Sequence, residues 1–160
     1  MMRLVVTYAV LVCVFVIPDG AEWLLGQGRV VRMLLHHFFH GNVFHLLVNC
    51  LSLYFILPRA KGWHLAAGYV IGSLSLLATS TPVIGASNLV YAVVGVRSPS
   101  FDSWWWRHPG TRTFLIVTAL MILLPNVSAM THIASFLVGV LVSMSVRWFR
   151  KISNDSARYI

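Results

Sequence analysis

The chain has 160 residues, of which 58% are hydrophobic and only 10% charged, with a net charge of +8 and a mean hydropathy of +0.80. An ordinary globular domain is about 45–50% apolar and roughly 25% charged, so a soluble fold of this size could not cover its own apolar surface. Composition therefore excludes a water-soluble globule and assigns lipid as the covering medium; the length suits one domain and is short for two.

Residues 4 to 18 form an uncharged run behind Met-Met-Arg, extendable through the interfacial stretch AEWLLG. No small-x-small cleavage site precedes the polar break at Pro18-Asp19, so this run is expected to stay as a first span rather than leave as a signal peptide. Between Arg32 and Arg59 lie 26 residues without Asp, Glu, Lys or Arg; 35 more separate Lys61 from Arg97, and 34 separate Arg112 from Arg147. A spanning helix needs about 20 residues, so the first block fits one span and the other two fit two each. Both long blocks break near the middle, one from Thr81-Pro82 to Gly85 and the other at Pro125-Asn126. Six spans follow.

With six spans, the two ends and the even-numbered loops share one side of the membrane. That side holds Arg3, Arg59, Lys61, Arg97, Arg107, Arg112, Arg147, Arg150, Lys151 and Arg158, ten of the twelve basic residues. The other side holds Arg29 and Arg32, beside Asp19 and Glu22. Basic residues concentrate in cytoplasmic loops, so both termini are expected in the cytoplasm. Topology accounts for the net charge, and a nucleic-acid partner is not required. Cys13 and Cys50 sit in apolar runs, where a thiol behaves as a small hydrophobe, and they imply no disulfide framework. Trp104-Trp105-Trp106 with Arg107 and His108 reads as an interfacial aromatic anchor, and Gly68 to Gly72 as a helix-packing motif.

Polar groups left in hydrocarbon are costly, so each marks a candidate site. The second span reads MLLHHFFHGNVFHLLVNCLSLYF and carries His36, His37, His40, His45 and Asn49, with His45 and Asn49 four apart on one helix face. In the fourth span Ser87, Tyr91 and Gly95 recur every four residues; in the sixth, His132 precedes a stripe of Ser135, Gly139 and Ser143. Small residues at that spacing let membrane helices approach closely. If these two faces pack, Ser87 and His132 meet at the non-cytoplasmic end. Pro82 and Gly85 would then let the third loop dip into the membrane, which irregular backbone tolerates only beside protein or a water-filled cavity.

A serine is a weak nucleophile until a base takes its proton. No carboxylate lies in any long block, so a Ser-His-Asp triad is not available and a dyad is the accessible version. Zinc needs three or four converging ligands, each held in place by hydrogen bonds from further groups. His36, His37 and His40 come with no His-Glu-x-x-His and no intramembrane carboxylate, so no metal is expected. Two intramembrane aspartates, which an aspartyl protease would need, are absent, and so is the buried acid or paired charge of a transporter.

The chain resembles the rhomboid intramembrane serine proteases, in their minimal six-span bacterial form, from about Arg32 to Val142. RMLLHHFFHGNVFHLLVN is similar to the family's Arg-then-apolar stretch with His-x4-His-x3-Asn. GASNLVYAVVG is similar to its Gly-x-Ser-Gly turn with a following Tyr. NVSAMTHIASFLVG is similar to the His-x-x-Gly-x-x-x-Gly start of its last core helix. All three stand in the family's order.

The resemblance implies an all-α polytopic membrane protein with six transmembrane helices in a rhomboid-like bundle. Residues 1–150 would form one membrane domain and 151–160 a short cytoplasmic tail. It implies an intramembrane serine endopeptidase with Ser87 as nucleophile and His132 as general base and then acid. His45, Asn49 and the Ser87 backbone N–H would form the oxyanion hole. Tyr91 would pack on the His132 ring, Gly85 would open the nucleophile turn, and His40 would orient the loop. Transmembrane proteins would be the substrates and lipid the surroundings, with no cofactor, in a bacterial inner membrane. Asn88 stands where the family usually has Gly, Ala134-Ser135 where it has Gly-Gly or Ala-Gly, Val31 where Trp often precedes the Arg, and ILPRAKG where the second span usually ends in Gly-x-x-x-Glu. Asn88 and the missing glutamate leave one alternative: a rhomboid-like pseudoprotease that binds membrane-protein clients.

Overall fold

The computed structural model describes residues 17, 19–56, 60–98, 112, 116 and 129–156. The expected first span with Cys13, the fifth span with its Pro125-Asn126 break, the Trp104–Trp106 loop and the last four residues lie outside the described residues. Among the described residues every regular element is helical. They are α1 (Gly20–Leu25), α2 (Arg29–Leu35) with a 3-10 turn at His36–Phe38, α3 (Val43–Ile56), α4 (Gly62–Leu74) running into a 3-10 turn at Ser75–Ala78, α5 (Ser87–Arg97) and α6 (Ala129–Ser156).

The 28 residues of α6 rise about 42 Å at 1.5 Å each, more than the roughly 30 Å hydrocarbon core. Among the described helices it alone is long and apolar enough to cross a membrane unaided. Its faces are inverted relative to a helix in water. Thr131, His132, Ser135, Gly139 and Ser143 are buried, while Met130, Ile133, Leu137, Leu141 and Met144 are exposed. Both stripes follow helical spacing, and a water-soluble helix would carry them the other way round. The exposed Val43, Phe44, Leu47, Leu51 and Tyr54 give α3 the same apolar exterior. The helix also runs past residue 150, where the membrane domain was expected to end, because neither Gly nor Pro interrupts it after Gly139.

The second span, read as one helix over 33–55, is divided. The stretch Arg29–Phe38 and α3 bend by 72° across a short break, and together they pass the length and hydropathy test for one span. The side chains explain the break. His36 Nδ1 lies 3.2 Å from the Arg32 carbonyl oxygen and 3.0 Å from that of Met33, so the ring competes for carbonyls in the last turn of α2. After Gly41, Asn42 Oδ1 accepts the His45 N–H at 2.8 Å, which is how an asparagine starts a new helix.

Helix α5 is the hub. Asn88, Val90 and Ala92 to Val96 are all buried. Leu46, Leu53 and Ile56 of α3 pack on one side, Ile71 of α4 on another, and α6 on a third. In lipid there is no hydrophobic force between helices, so close packing must supply the attraction. Two glycines make it close. A Cβ on Gly95 would collide with the Phe136 carbonyl, and one on Gly139 would sit 2.9 Å from the Val96 nitrogen. Gly139→Val therefore costs about 1–3 kcal/mol by overpacking. A thermal unfolding midpoint in detergent that stays at the wild-type value would contradict this contact.

Candidate active site

Ser87 is the first residue of α5, and the capping position is Ala86, whose side chain makes no cap hydrogen bond. The Ser87 hydroxyl is not a helix cap. It faces His132 of α6, with Oγ 2.8 Å from Nε2. His132 is 5% exposed and Ser87 half-buried. The bond spans the same α5–α6 interface as Gly95 and Gly139, about two turns away, so the two small-residue stripes of α5 and α6 do bring the pair together. No partner for His132 Nδ1 is found among the described residues. With Nε2 accepting the serine proton, Nδ1 carries the ring N–H.

Among the described residues no carboxylate orients this ring. A neighbouring aromatic does: Tyr91, one turn below Ser87, stacks on His132 with centroids 4.5 Å apart and planes only 9° from parallel. The stack fixes the plane of the imidazole, the task a triad gives to its Asp.

The approach to Ser87 is built around Gly85, whose φ of +109° lies in the region that only glycine enters cheaply. Its N–H donates to the His36 carbonyl at 2.8 Å. A Cβ at Gly85 would strike the His45 ring and come within 3.5 Å of Asn49 Nδ2, so both α3 side chains lie against the backbone that precedes the serine. Asn49 Nδ2 donates one proton to the His45 carbonyl at 3.0 Å; an amide nitrogen has a second. The first N–H groups of a helix have no intrahelical acceptor, and Ser87 supplies one of them. Donors on His45, Asn49 and Ser87 thus gather around one turn.

His40 lies behind this turn. Its Nε2 accepts the Ala86 N–H at 3.4 Å, and its ring meets that of His45 edge-on at 5.2 Å. His36 and His37 are fully buried, with rings 3.8 Å apart, and His37 Nε2 lies 3.2 Å from Ser73 Oγ on α4. His37 thus packs against α4, and neither ring bonds to Ser87 or His132. Among the described residues no three His, Cys, Asp or Glu side chains converge as metal ligands.

One feature escaped sequence reasoning, and one that it flagged is differently placed. Asn42 sets the start of α3 and hence the position of His45; its signal was the Gly-Asn pair ahead of an apolar run. Asn88 is 0% exposed, and neither amide atom has a partner among the described residues. Asn88, the residue after Ser87, is thus turned into the protein, and its backbone carbon lies near Gly72 of α4.

A family model, the Rhomboid domain, matches residues 27–149. The chain is 27% identical over 144 residues to Rhomboid-type serine protease B of Aspergillus fumigatus, covering 75% of this chain and 53% of the relative. It is 29% identical over 147 residues to Rhomboid-type serine protease 2 of Neurospora crassa, covering 77% and 52%. It is 31% identical over 130 residues to RHOMBOID-like protein 4 of Arabidopsis thaliana, covering 69% and 32%. The chain thus spans about half the length of the two fungal relatives and a third of the plant one. No solved structure matches it.

Proposed function

The chain belongs to the rhomboid family, and on that premise we propose that it is an intramembrane serine endopeptidase that cleaves transmembrane-helix substrates with a Ser87–His132 dyad. The observation that carries this reading is the 2.8 Å contact between Ser87 Oγ and His132 Nε2 across two helices. A family motif alone would not require that contact.

The steps follow from the groups present. A helical carbonyl is bonded within its own helix, so the substrate must unwind locally before its carbon is open to attack. Ser87 Oγ then adds to that carbon while His132 Nε2 takes the hydroxyl proton. Charge gathers on the former carbonyl oxygen, and the Ser87 N–H, the His45 ring and the second Asn49 Nδ2 proton stabilise it. His132 next gives its proton to the leaving amine, and a water, activated the same way, releases the acyl group from Ser87. His40 and Gly85 hold the turn in shape, and Tyr91 holds the base.

The proposed setting is a single membrane domain over residues 1–150 with a tail from 151, six spans and both ends in the cytoplasm. The inverted faces of α6 support the membrane part of this. The Arg97 guanidinium, 3.4 Å from the Ile56 carbonyl oxygen, joins α5 and α3 at the end opposite Ser87, as that topology requires of a cytoplasmic anchor. The relatives matched come from fungi and a plant, and they lend no support to the bacterial inner membrane the sequence resemblance implied.

One observation favours a second reading, a client-binding pseudoprotease. Asn88 fills the position beside the nucleophile with a buried amide that has no partner among the described residues. Purified protein incubated with a quenched fluorescent reporter containing one transmembrane helix separates the two. Cleavage that disappears in Ser87→Ala supports the protease; reporter retained without turnover by wild type supports the client binder.

A further inference from the structure

We propose that the cleft between α2 and the loop ahead of α5 binds the phosphodiester headgroup of an anionic membrane phospholipid. This site is separate from the dyad and does not depend on catalysis. It does rest on the topology proposed above.

The cleft has a volume of about 230 Å³, and its lining includes Arg29 and Arg32 from α2, Leu76 from the turn after α4, and Thr79, Ser80 and Thr81. The two arginines are three residues apart, on one side of a helix, and among the described residues no carboxylate lines the cleft. Arg29 Nη2 donates to the Leu76 carbonyl at 3.4 Å, which uses one of its five N–H groups and holds the guanidinium at the cleft wall. Opposite, Thr79 Oγ1 and Thr81 Oγ1 lie 2.7 Å apart, and the Thr81 N–H donates to Thr79 Oγ1 at 3.1 Å. One hydroxyl proton is spent between the pair, and the other remains for an outside acceptor. Two guanidinium forks and a hydroxyl donor suit the several acceptor oxygens of a phosphodiester.

Two further observations select a lipid as the source of that phosphate. Val30 and Leu34 neighbour the two arginines along α2, Leu74 and Leu77 neighbour the lining residue Leu76 in sequence, and all four are large apolar side chains left exposed. A free anion has no use for exposed apolar side chains on the elements that hold it, whereas acyl chains lie along them. The second is charge placement. Arg29 and Arg32 are the two of twelve basic residues that fall on the non-cytoplasmic side, against the usual bias, and a lipid phosphate gives them a counter-charge at the depth where they sit.

Native mass spectrometry of the purified full chain in detergent micelles tests this with phosphatidylglycerol, phosphatidylcholine and diacylglycerol added separately. Wild type is expected to retain one phosphatidylglycerol in preference to the other two, and R29Q/R32Q to retain it about tenfold less. R29K/R32K, which keeps the charge, should fall in between. Should the glutamine variant fail to fold, T79V/T81V leaves both arginines in place and is expected to weaken retention by a smaller factor. Equal retention of diacylglycerol, or wild-type retention by folded R29Q/R32Q and T79V/T81V alike, overturns the proposal. Complete displacement by millimolar inorganic phosphate reassigns the cleft to a free anion and overturns the lipid source. Unchanged lipid retention by R29Q/R32Q, with cleavage lost only for reporters bearing acidic residues next to their helix, reassigns it to an acidic peptide segment.

Discussion

Ser87→Ala and His132→Ala each lower kcat/KM for a transmembrane reporter by on the order of 10⁴-fold or more, and the double variant falls no further. Non-additivity is the diagnostic part. In the proposed mechanism the serine hydroxyl is activated only through the 2.8 Å contact with Nε2, so removing either partner would remove the same step. A structural histidine would behave differently: His132→Ala would then lower the unfolding midpoint and reduce activity only in proportion to lost protein. Each variant is therefore measured with its melting curve. Losses of less than about tenfold at an unchanged midpoint would show that the contact is packing and not chemistry.

Asn49→Ala is expected to lower kcat by about 10²–10³-fold, equivalent to about 2.7–4 kcal/mol, with little change in KM. The reason lies in when the bond forms. Asn49 Nδ2 already gives one proton to the His45 carbonyl in the resting protein, and the second is free for an oxygen whose charge appears only during the reaction. An interaction stronger in the transition state than in the ground state acts on kcat. His45→Ala should behave alike. A rise in KM at constant kcat would assign both residues to substrate binding, and loss of folding would assign them to helix packing.

The Ser87–His132 contact was legible because two independent periodicities intersect there. Ser87, Tyr91 and Gly95 recur every four residues, as do Ser135, Gly139 and Ser143, and small side chains at that spacing in lipid have few uses besides close approach. The stacking of Tyr91 on His132 was expected only through the family resemblance, since nothing in the spacing says how two rings will lie. The bend between α2 and α3 was not legible. A run without charges records depth in the membrane but not direction, and the 72° turn depends on where the His36 ring and the Asn42 amide send their hydrogen bonds. Asn88 was read as standing where the family usually has Gly. The structure buries it completely, with its backbone carbon close to Gly72 of α4, a placement that no periodicity of α5 encodes.

Intact-mass and peptide mapping after treatment with a fluorophosphonate most directly tests the claim that Ser87 is a nucleophile activated by His132. The account predicts one adduct per chain, located on Ser87 among all the serines, and its absence in His132→Ala. An adduct on any other serine, or equal labelling of Ser87 with and without the imidazole, would contradict it.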